Sequence, residues 1–301
     1  MTATPNNIRF NEECHSITLR RRIVILIMSV VGMHANHATA DEPDLPKRFS
    51  EPFVEHLIDI EGGQLCCVQR HGDGPTLMLI PGTFSDSRAF ARLVSHLDSS
   101  LNLLLVENRG LGRSWPPPED GSIEQCAQDE LRIADELGVD SFFVGGHSLG
   151  GMISIELARV APERLRGVIS IEGWSHWTAA RDAFAGDMAS TLSEAQLAEQ
   201  AAYRQDVLKD WTDEQRSAFG RIWRKWDGEL TLKETQLPVL ELYGDRGRAT
   251  ATREQLRIPD RENIRLQWFS GAAHKLPYER PREVATAINE FIRITEAQTL
   301  P

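Results

Sequence analysis

Cysteine is scarce in this chain. Four cysteines occur in 301 residues, and the three that follow residue 41 are odd in number: Cys66, Cys67 and Cys126. Adjacent strand residues such as Cys66 and Cys67 point to opposite faces of a sheet. A disulfide framework is therefore not expected. Buried unpaired thiols are predicted instead, although one bridge to Cys126 stays open in an oxidising compartment.

An excess of positive charge and a metal-ligand pattern are also missing. The chain carries 33 basic and 44 acidic residues, which gives a formal net charge of −11 at pH 7. A protein this acidic is not expected to bind nucleic acid. No group of His, Cys and Asp residues has the spacing of metal ligands, so the sequence implies neither a metal nor an organic cofactor.

The first forty residues differ from the rest. Three arginines at 20–22 precede the apolar run 23–28, which is too short to span a bilayer comfortably, and the small residues 38–40 come before Asp41. This order is typical of a secretory signal. We predict that residues 1–40 are a signal peptide or leader and that the mature protein is exported, to the periplasm or the exterior, without a stable membrane span. An uncleaved anchor is the alternative, and the cleavage site and export route stay open.

After residue 41, short apolar runs alternate with helical patterns. This alternation predicts an α/β protein with a mostly parallel, eight-stranded sheet flanked by helices. An opening hairpin is expected at 53–60 and 64–70. The other predicted strands are 76–80, 101–106, 141–144, 168–171, 239–243 and 264–269, and the predicted helices are 89–97, 123–137 and 283–292.

The strand pattern stops between residues 174 and 233. This stretch is polar and favours helices, so we predict a helical cap inserted into an α/β core formed by 41–173 and 234–301. Five of the seven tryptophans lie in or beside it: Trp174, Trp177, Trp211, Trp223 and Trp226. Such rings either line an apolar ligand pocket or pack the cap against the sheet.

The segment 146–150, Gly-His-Ser-Leu-Gly, lies between a predicted strand and a predicted helix. Glycines two residues before and after a serine allow a sharp strand-to-helix turn that exposes the hydroxyl. Ser148 is therefore the candidate nucleophile. The simpler explanation, a glycine-rich turn, does not require a strand before it and an amphipathic helix after it.

A serine hydroxyl needs a base, and the base needs an acid to orient it. Among nine histidines, only His274 follows the last predicted strand in a loop of small residues, and it is the candidate base. Glu172 and Asp245 each follow a strand and are the candidate acids. Glu172 would be costly to bury without a partner, whereas Asp245 adjoins Arg246 and could form a simple surface ion pair.

The oxyanion that forms during acyl transfer is usually stabilised by two main-chain amides. Leu149, which follows the nucleophile at a helix start, is one predicted donor. The other is Thr83, in the turn after the third strand. The residues predicted to contact the substrate are Phe84, Trp174, His176 and Trp177.

Four ordered motifs resemble those of the α/β-hydrolase superfamily over residues 53–294. They are Ile80-Pro81-Gly82-Thr83, Asn108-Arg109-Gly110-Leu111-Gly112-Arg113-Ser114, the serine turn, and Gly271-Ala272-Ala273-His274. The resemblance is to the cap-bearing esterase and lactonase-like branch. It implies a cofactor-free serine esterase with Ser148 as nucleophile, His274 as base, and an acid between them in the sequence.

Departures from the family pattern bear on the acid. Members commonly carry Gly-x-x-Asp after the seventh strand, but Gly247 occupies the place of that Asp here. Some branches carry the acid after the sixth strand instead, which favours Glu172 and leaves Asp245 as second choice.

Other branches of the family fit the sequence less well. Relatives that attack through an aspartate are disfavoured, because this chain has Ser148 in that place. The cofactor-free dioxygenases usually have histidine where this chain has Leu149.

The sequence thus predicts a serine hydrolase that cleaves a carboxylic ester or a lactone through an acyl-enzyme on Ser148. The expected partner is a small, bulky or partly aromatic substrate, and the oligomeric state is left open. Two alternatives remain: a cofactor-independent dioxygenase on the same fold, and a binding protein that has kept the fold without turnover.

Overall fold

The structure, a computed structural model, describes residues 48–118, 121–185, 191–246 and 252–299. The predicted signal peptide, residues 1–40, lies outside the described residues, as does Gly247. Within the described ranges, no helix has both the length and the apolar character needed to cross a membrane.

A single eight-stranded sheet organises the chain. The first two strands form an antiparallel hairpin, the second pairs antiparallel with the fourth, and all other pairs are parallel. The predicted mostly parallel sheet is confirmed. The strands are β1 (Phe53–Ile60), β2 (Gly63–Arg70), β3 (Thr76–Ile80), β4 (Asn102–Glu107), β5 (Phe142–His147), β6 (Leu165–Ile171), β7 (Val239–Gly244) and β8 (Ile264–Phe269), in the spatial order β1-β2-β4-β3-β5-β6-β7-β8.

Helices cover both faces of the sheet. Alternate residues of a strand point to opposite faces, and in β5 Val144 belongs to one buried apolar cluster while Phe143 belongs to the other. The helices are α1 (Ala91–Val94), α2 (Ile123–Glu136), α3 (Leu149–Val160), α4 (Trp177–Ala185), α5 (Glu194–Val207), α6 (Asp213–Phe219), α7 (Glu229–Glu234), α8 (Arg253–Leu256), α9 (Leu276–Glu279) and α10 (Pro281–Thr299).

One predicted helix has a different form in the structure. The helix predicted at 89–97 is a 3₁₀ turn, Ser87–Phe90, followed by the single turn α1. The side chain of Asp86 accepts a hydrogen bond from the main-chain N–H of Arg88, which favours this tight start. Helices α4 to α7 lie between β6 and β7, within the segment predicted as the cap. The cysteines Cys66, Cys67 and Cys126 are buried free thiols.

An ionisable side chain, Glu241 of β7, is buried in this core opposite Ser170 of β6. Burial raises the pKa of Glu241 from 4.5 to about 8. The folded protein therefore binds this proton more tightly than the unfolded chain does. The stability contributed by the protonated group is complete below pH 4.5 and is lost as the pH rises towards about 8.

We expect Glu241→Gln to be more stable than the wild type above this range, by at most about 5 kcal/mol, and the two proteins to converge near pH 4.5. The amide has the shape of the protonated acid but cannot ionise. Urea denaturation of both proteins across this pH range measures the difference. An identical fall in stability for the variant at alkaline pH would contradict this assignment.

Candidate active site

Ser148 occupies the sharp turn between β5 and α3. Its φ of 56° lies in the left-handed region, which is unfavourable for a residue with a side chain. The glycines around it make the turn sterically feasible. A Cβ atom at Gly146 would overlap the main chain of Gly150, and one at Gly150 would overlap the carbonyl oxygen of Ile80. The chain passes so close to itself at this turn that residues 146 and 150 must both be glycine.

The hydroxyl of Ser148 is in contact with His274. Its Oγ lies 3.1 Å from Nε2 of His274, and Nδ1 of the same ring lies 3.2 Å from Oε2 of Glu172. Because a carboxylate can only accept, the Nδ1 proton of His274 donates to Glu172, which leaves Nε2 to accept from Ser148. The structure therefore brings together a serine, an imidazole and a carboxylate in hydrogen-bonded order, from three distant parts of the sequence.

Glu172 is held from two sides. It follows β6 and is fully buried, with a φ of 53°. Its Oε1 accepts a hydrogen bond from the main-chain N–H of Gly244 at 2.6 Å while Oε2 faces His274. The other candidate acid, Asp245, is directed elsewhere, because its Oδ1 accepts from the main-chain N–H of Gly271 at 2.7 Å. Asp245 fastens the loop before His274 and does not orient the ring.

An aromatic ring supports the imidazole. Trp174 stacks on His274 with a centroid distance of 5.5 Å and an interplanar angle of 9°. The main-chain N–H of Trp174 donates to the hydroxyl of Tyr243 at 2.9 Å. This stacking limits rotation of the His274 ring and keeps it between Ser148 and Glu172.

Both predicted oxyanion donors lie beside the nucleophile. Thr83 and Leu149 line the same cavity as Ser148. Leu149 is the first residue of α3, so its N–H has no acceptor four residues earlier in the helix. In the described part of the chain, the N–H of Thr83 donates no main-chain hydrogen bond. These two amides can therefore stabilise a negative oxygen, helped by the positive end of the α3 dipole.

Above Ser148 lies a cavity of about 300 Å³. Phe84 and Trp174, both predicted to contact substrate, line it. His176 and Trp177 are not among the described residues that line it, and their contact with substrate stays a prediction. Nδ1 of His176 is 2.7 Å from Oγ1 of Thr178, and Trp177 packs under the guanidinium of Arg181, 5.2 Å from its ring centroid.

A second histidine, His147, lies inside the serine turn and contacts the loop that carries His274. Its Nε2 lies 2.7 Å from the carbonyl oxygen of His274, and the two rings are 5.0 Å apart. Burial and the neighbouring His274 lower the pKa of His147 to about 3. The ring is therefore neutral, and Nε2 donates its proton to that carbonyl, which ties the two catalytic loops together.

Polar and charged residues of the cap side also line the cavity, and sequence reasoning missed them. They are Gln200, Tyr203 and Arg204 of α5, and Lys275 of the loop after His274. Tyr203 is buried and its hydroxyl accepts from the main-chain N–H of Asp86 at 2.9 Å. No local pattern in α5 marks these residues, because their role depends on how the helix packs over the sheet edge.

A sequence profile for the alpha/beta hydrolase fold matches residues 75–202. This segment contains the β3 turn, the serine turn and Glu172. The chain has the α/β-hydrolase fold. The predicted resemblance to the α/β-hydrolase superfamily is thereby confirmed.

Relatives and solved structures agree with this assignment. The chain is 33% identical over 105 residues to RutD of Azorhizobium caulinodans, which is assigned as a carbamate hydrolase; the match covers 35% of this chain and 40% of that protein. The chain thus spans about two fifths of the length of the curated relatives of this kind that it matches. It is 24% identical over 250 residues to the 2-heptyl-3-hydroxy-4-quinolone dioxygenase AqdC2 of Rhodococcus erythropolis, covering 72% of this chain and 90% of that protein.

Among solved structures, the enol-lactonase from Burkholderia xenovorans LB400 superposes with a TM-score of 0.65 at 21% identity. The superposition covers 79% of this chain and 100% of the lactonase. At this identity the likeness concerns the fold alone.

Proposed function

We propose that this protein is a serine hydrolase that cleaves a carboxylic ester or a lactone through an acyl-enzyme on Ser148. The observation that carries the proposal is the continuous chain of hydrogen-bonding contacts Ser148–His274–Glu172, which ends at the floor of a cavity. Such an arrangement activates a hydroxyl that is otherwise a weak nucleophile.

The chemistry follows from the positions of the protons. Nε2 of His274 accepts the Ser148 proton as Oγ attacks the substrate carbonyl, and Glu172 stabilises the imidazolium that forms. The amides of Thr83 and Leu149 stabilise the oxyanion of the tetrahedral intermediate. His274 then protonates the leaving oxygen, and a water molecule, deprotonated by the same ring, releases the acid from Ser148.

Two further observations support hydrolysis at a carbonyl. The relatives named above include a carbamate hydrolase, and a match of 28% identity over 123 residues is the 2-(acetamidomethylene)succinate hydrolase of Mesorhizobium japonicum. The cavity is lined by Phe84, Trp174 and Trp223, whose rings suit a bulky or partly aromatic substrate.

A panel of p-nitrophenyl esters of graded acyl length, together with several lactones, tests the reaction class. We expect turnover of at least one ester or lactone and stoichiometric labelling by a fluorophosphonate probe. An enzyme that neither turns over the panel nor becomes labelled would contradict the proposal and favour a binding protein on the same fold.

A second candidate is cofactor-independent oxygenation. It is favoured by the match to the quinolone dioxygenase, which covers most of both chains. In that reaction His274 would deprotonate an aromatic hydroxyl, and Ser148 would only bind the substrate. Oxygen consumption with a 3-hydroxy-4-quinolone that persists in Ser148→Ala would support oxygenation and overturn the acyl-enzyme mechanism.

We further propose that residues 1–40 direct export, on the evidence of the basic, apolar and small-residue order alone. N-terminal sequencing of protein recovered from a periplasmic extract should begin near Asp41. Recovery of the intact chain from the cytoplasm alone would exclude this.

A further inference from the structure

Two cationic side chains line the cavity above Ser148. Lys275 directly follows His274, and its ammonium group donates to Oε1 of Gln200 at 2.7 Å. Arg204 belongs to α5, and its guanidinium carbon lies 5.0 Å from the centroid of the Phe84 ring. The two cations therefore come from different elements, Lys275 from the loop after β8 and Arg204 from α5.

Within the ranges that the structure describes, neither cation forms an ion pair, and the residues that line this cavity include no Asp or Glu. This is unusual in a chain with a net charge of −11. The carboxylate of Glu279, which does not line the cavity, opposes the fall in the pKa of Lys275.

The arginines of the adjoining pocket, of about 510 Å³, show the contrast. Arg88 pairs with Asp86 and Asp206, and Arg92 pairs with Glu199. These two arginines are thus neutralised by carboxylates of the protein, whereas Arg204 and Lys275 form no ion pair in the described ranges. Lys275 lines both the adjoining pocket and the catalytic cavity.

This arrangement is electrostatically unfavourable in the empty protein. Lys275 is partly buried, and burial, together with repulsion from Arg204, lowers its pKa. An anion placed between the two groups would relieve the repulsion and would form charge-assisted hydrogen bonds with both. The cavity is therefore complementary to a negatively charged ligand.

We propose that the substrate of this site carries a carboxylate, which Lys275 and Arg204 bind while Ser148 attacks an ester or lactone carbonyl in the same molecule. This inference rests on the proposed hydrolase function and names its substrate class. The cations select the substrate, and the aromatic rings contact its apolar part. Gln200 of α5 accepts from Lys275 and positions its ammonium group.

A matched pair of esters tests this. Mono(4-nitrophenyl) adipate is anionic, and methyl 4-nitrophenyl adipate has the same acyl chain without the charge. We expect kcat/KM to be at least about tenfold higher for the anionic ester, the effect of one charge-assisted hydrogen bond. Lys275→Met and Arg204→Met should each reduce this preference about tenfold. Lys209→Met removes an exposed, ion-paired lysine next to α5 and should preserve the preference.

Equal kcat/KM for the two esters in the wild type, or an unchanged preference in both methionine variants, would overturn the proposal while leaving the hydrolase function intact. Because Lys275 adjoins His274, the rate of fluorophosphonate labelling is measured in Lys275→Met to show that Ser148 is still activated. If neither ester is turned over and no labelling occurs, the hydrolase function fails instead. In that case, adipate binding is measured by tryptophan fluorescence in the wild type and in Arg204→Met. Binding to the wild type that is lost in the variant would support the anion site. Absence of binding to the wild type, or equal binding to both proteins, would overturn it.

Discussion

Ser148→Ala is expected to abolish fluorophosphonate labelling and to reduce kcat for any ester or lactone substrate by about 10⁴-fold to 10⁶-fold. The reason is that, in the proposed mechanism, the hydroxyl 3.1 Å from Nε2 of His274 forms the acyl-enzyme. The rate enhancement that the variant keeps would come from the amides of Thr83 and Leu149 and from substrate binding. Intact-protein mass spectrometry after labelling, together with steady-state kinetics, measures both effects.

The matched control is Ser85→Ala, because Ser85 lines the same cavity without contacting His274 in the described structure. It should keep its labelling and most of its activity. Full labelling of Ser148→Ala at another residue would show that a different nucleophile operates and would remove the basis of the proposed mechanism.

Glu172→Gln is expected to lower kcat by about 10³-fold to 10⁴-fold. An amide in this place can donate to Nδ1 of His274, which moves the ring proton to Nε2 and leaves no acceptor for the Ser148 hydroxyl. Steady-state kinetics of the folded variant measures this loss.

Asp245→Asn is the control, because the amide can still accept from the N–H of Gly271 through its oxygen. Its kcat should differ little from that of the wild type. The reverse outcome, an inactive Asp245→Asn and an active Glu172→Gln, would mean that Asp245 is the orienting acid and that the loop before His274 rearranges when substrate binds.

The elements of the sheet could be predicted because their signals are local. The strand predicted at 264–269 has the bounds of β8, and the helix predicted at 123–137 ends within one residue of α2. Apolar alternation and a glycine after the helix were sufficient there. The helix predicted at 89–97 is a short turn instead, because the side chain of Asp86 accepts a hydrogen bond from the main-chain N–H of Arg88. Apolar spacing does not reveal such a bond between a side chain and the main chain.

The site was predictable to the extent that its residues follow strands. Ser148, His274 and Glu172 could be named because parallel strands deliver the residues after their carboxyl ends to one edge of the sheet. His176 and Trp177 are not among the described residues that line the cavity, because nearness to Glu172 in sequence does not fix which way α4 faces. Lys275 and Arg204 carried no signal, since a charged residue in a polar helix or loop looks like an ordinary surface residue.

By itself, the sequence determined the α/β-hydrolase fold, the serine turn and the two candidate acids, because each depends on spacing within a few residues. Only the tertiary structure places Glu172, and not Asp245, beside His274. It also brings Lys275 and Arg204 to one cavity. Positive φ angles at Phe84, Ser148, Glu172 and Trp174 illustrate the reason: these backbone conformations are unfavourable locally and persist only because long-range packing imposes them.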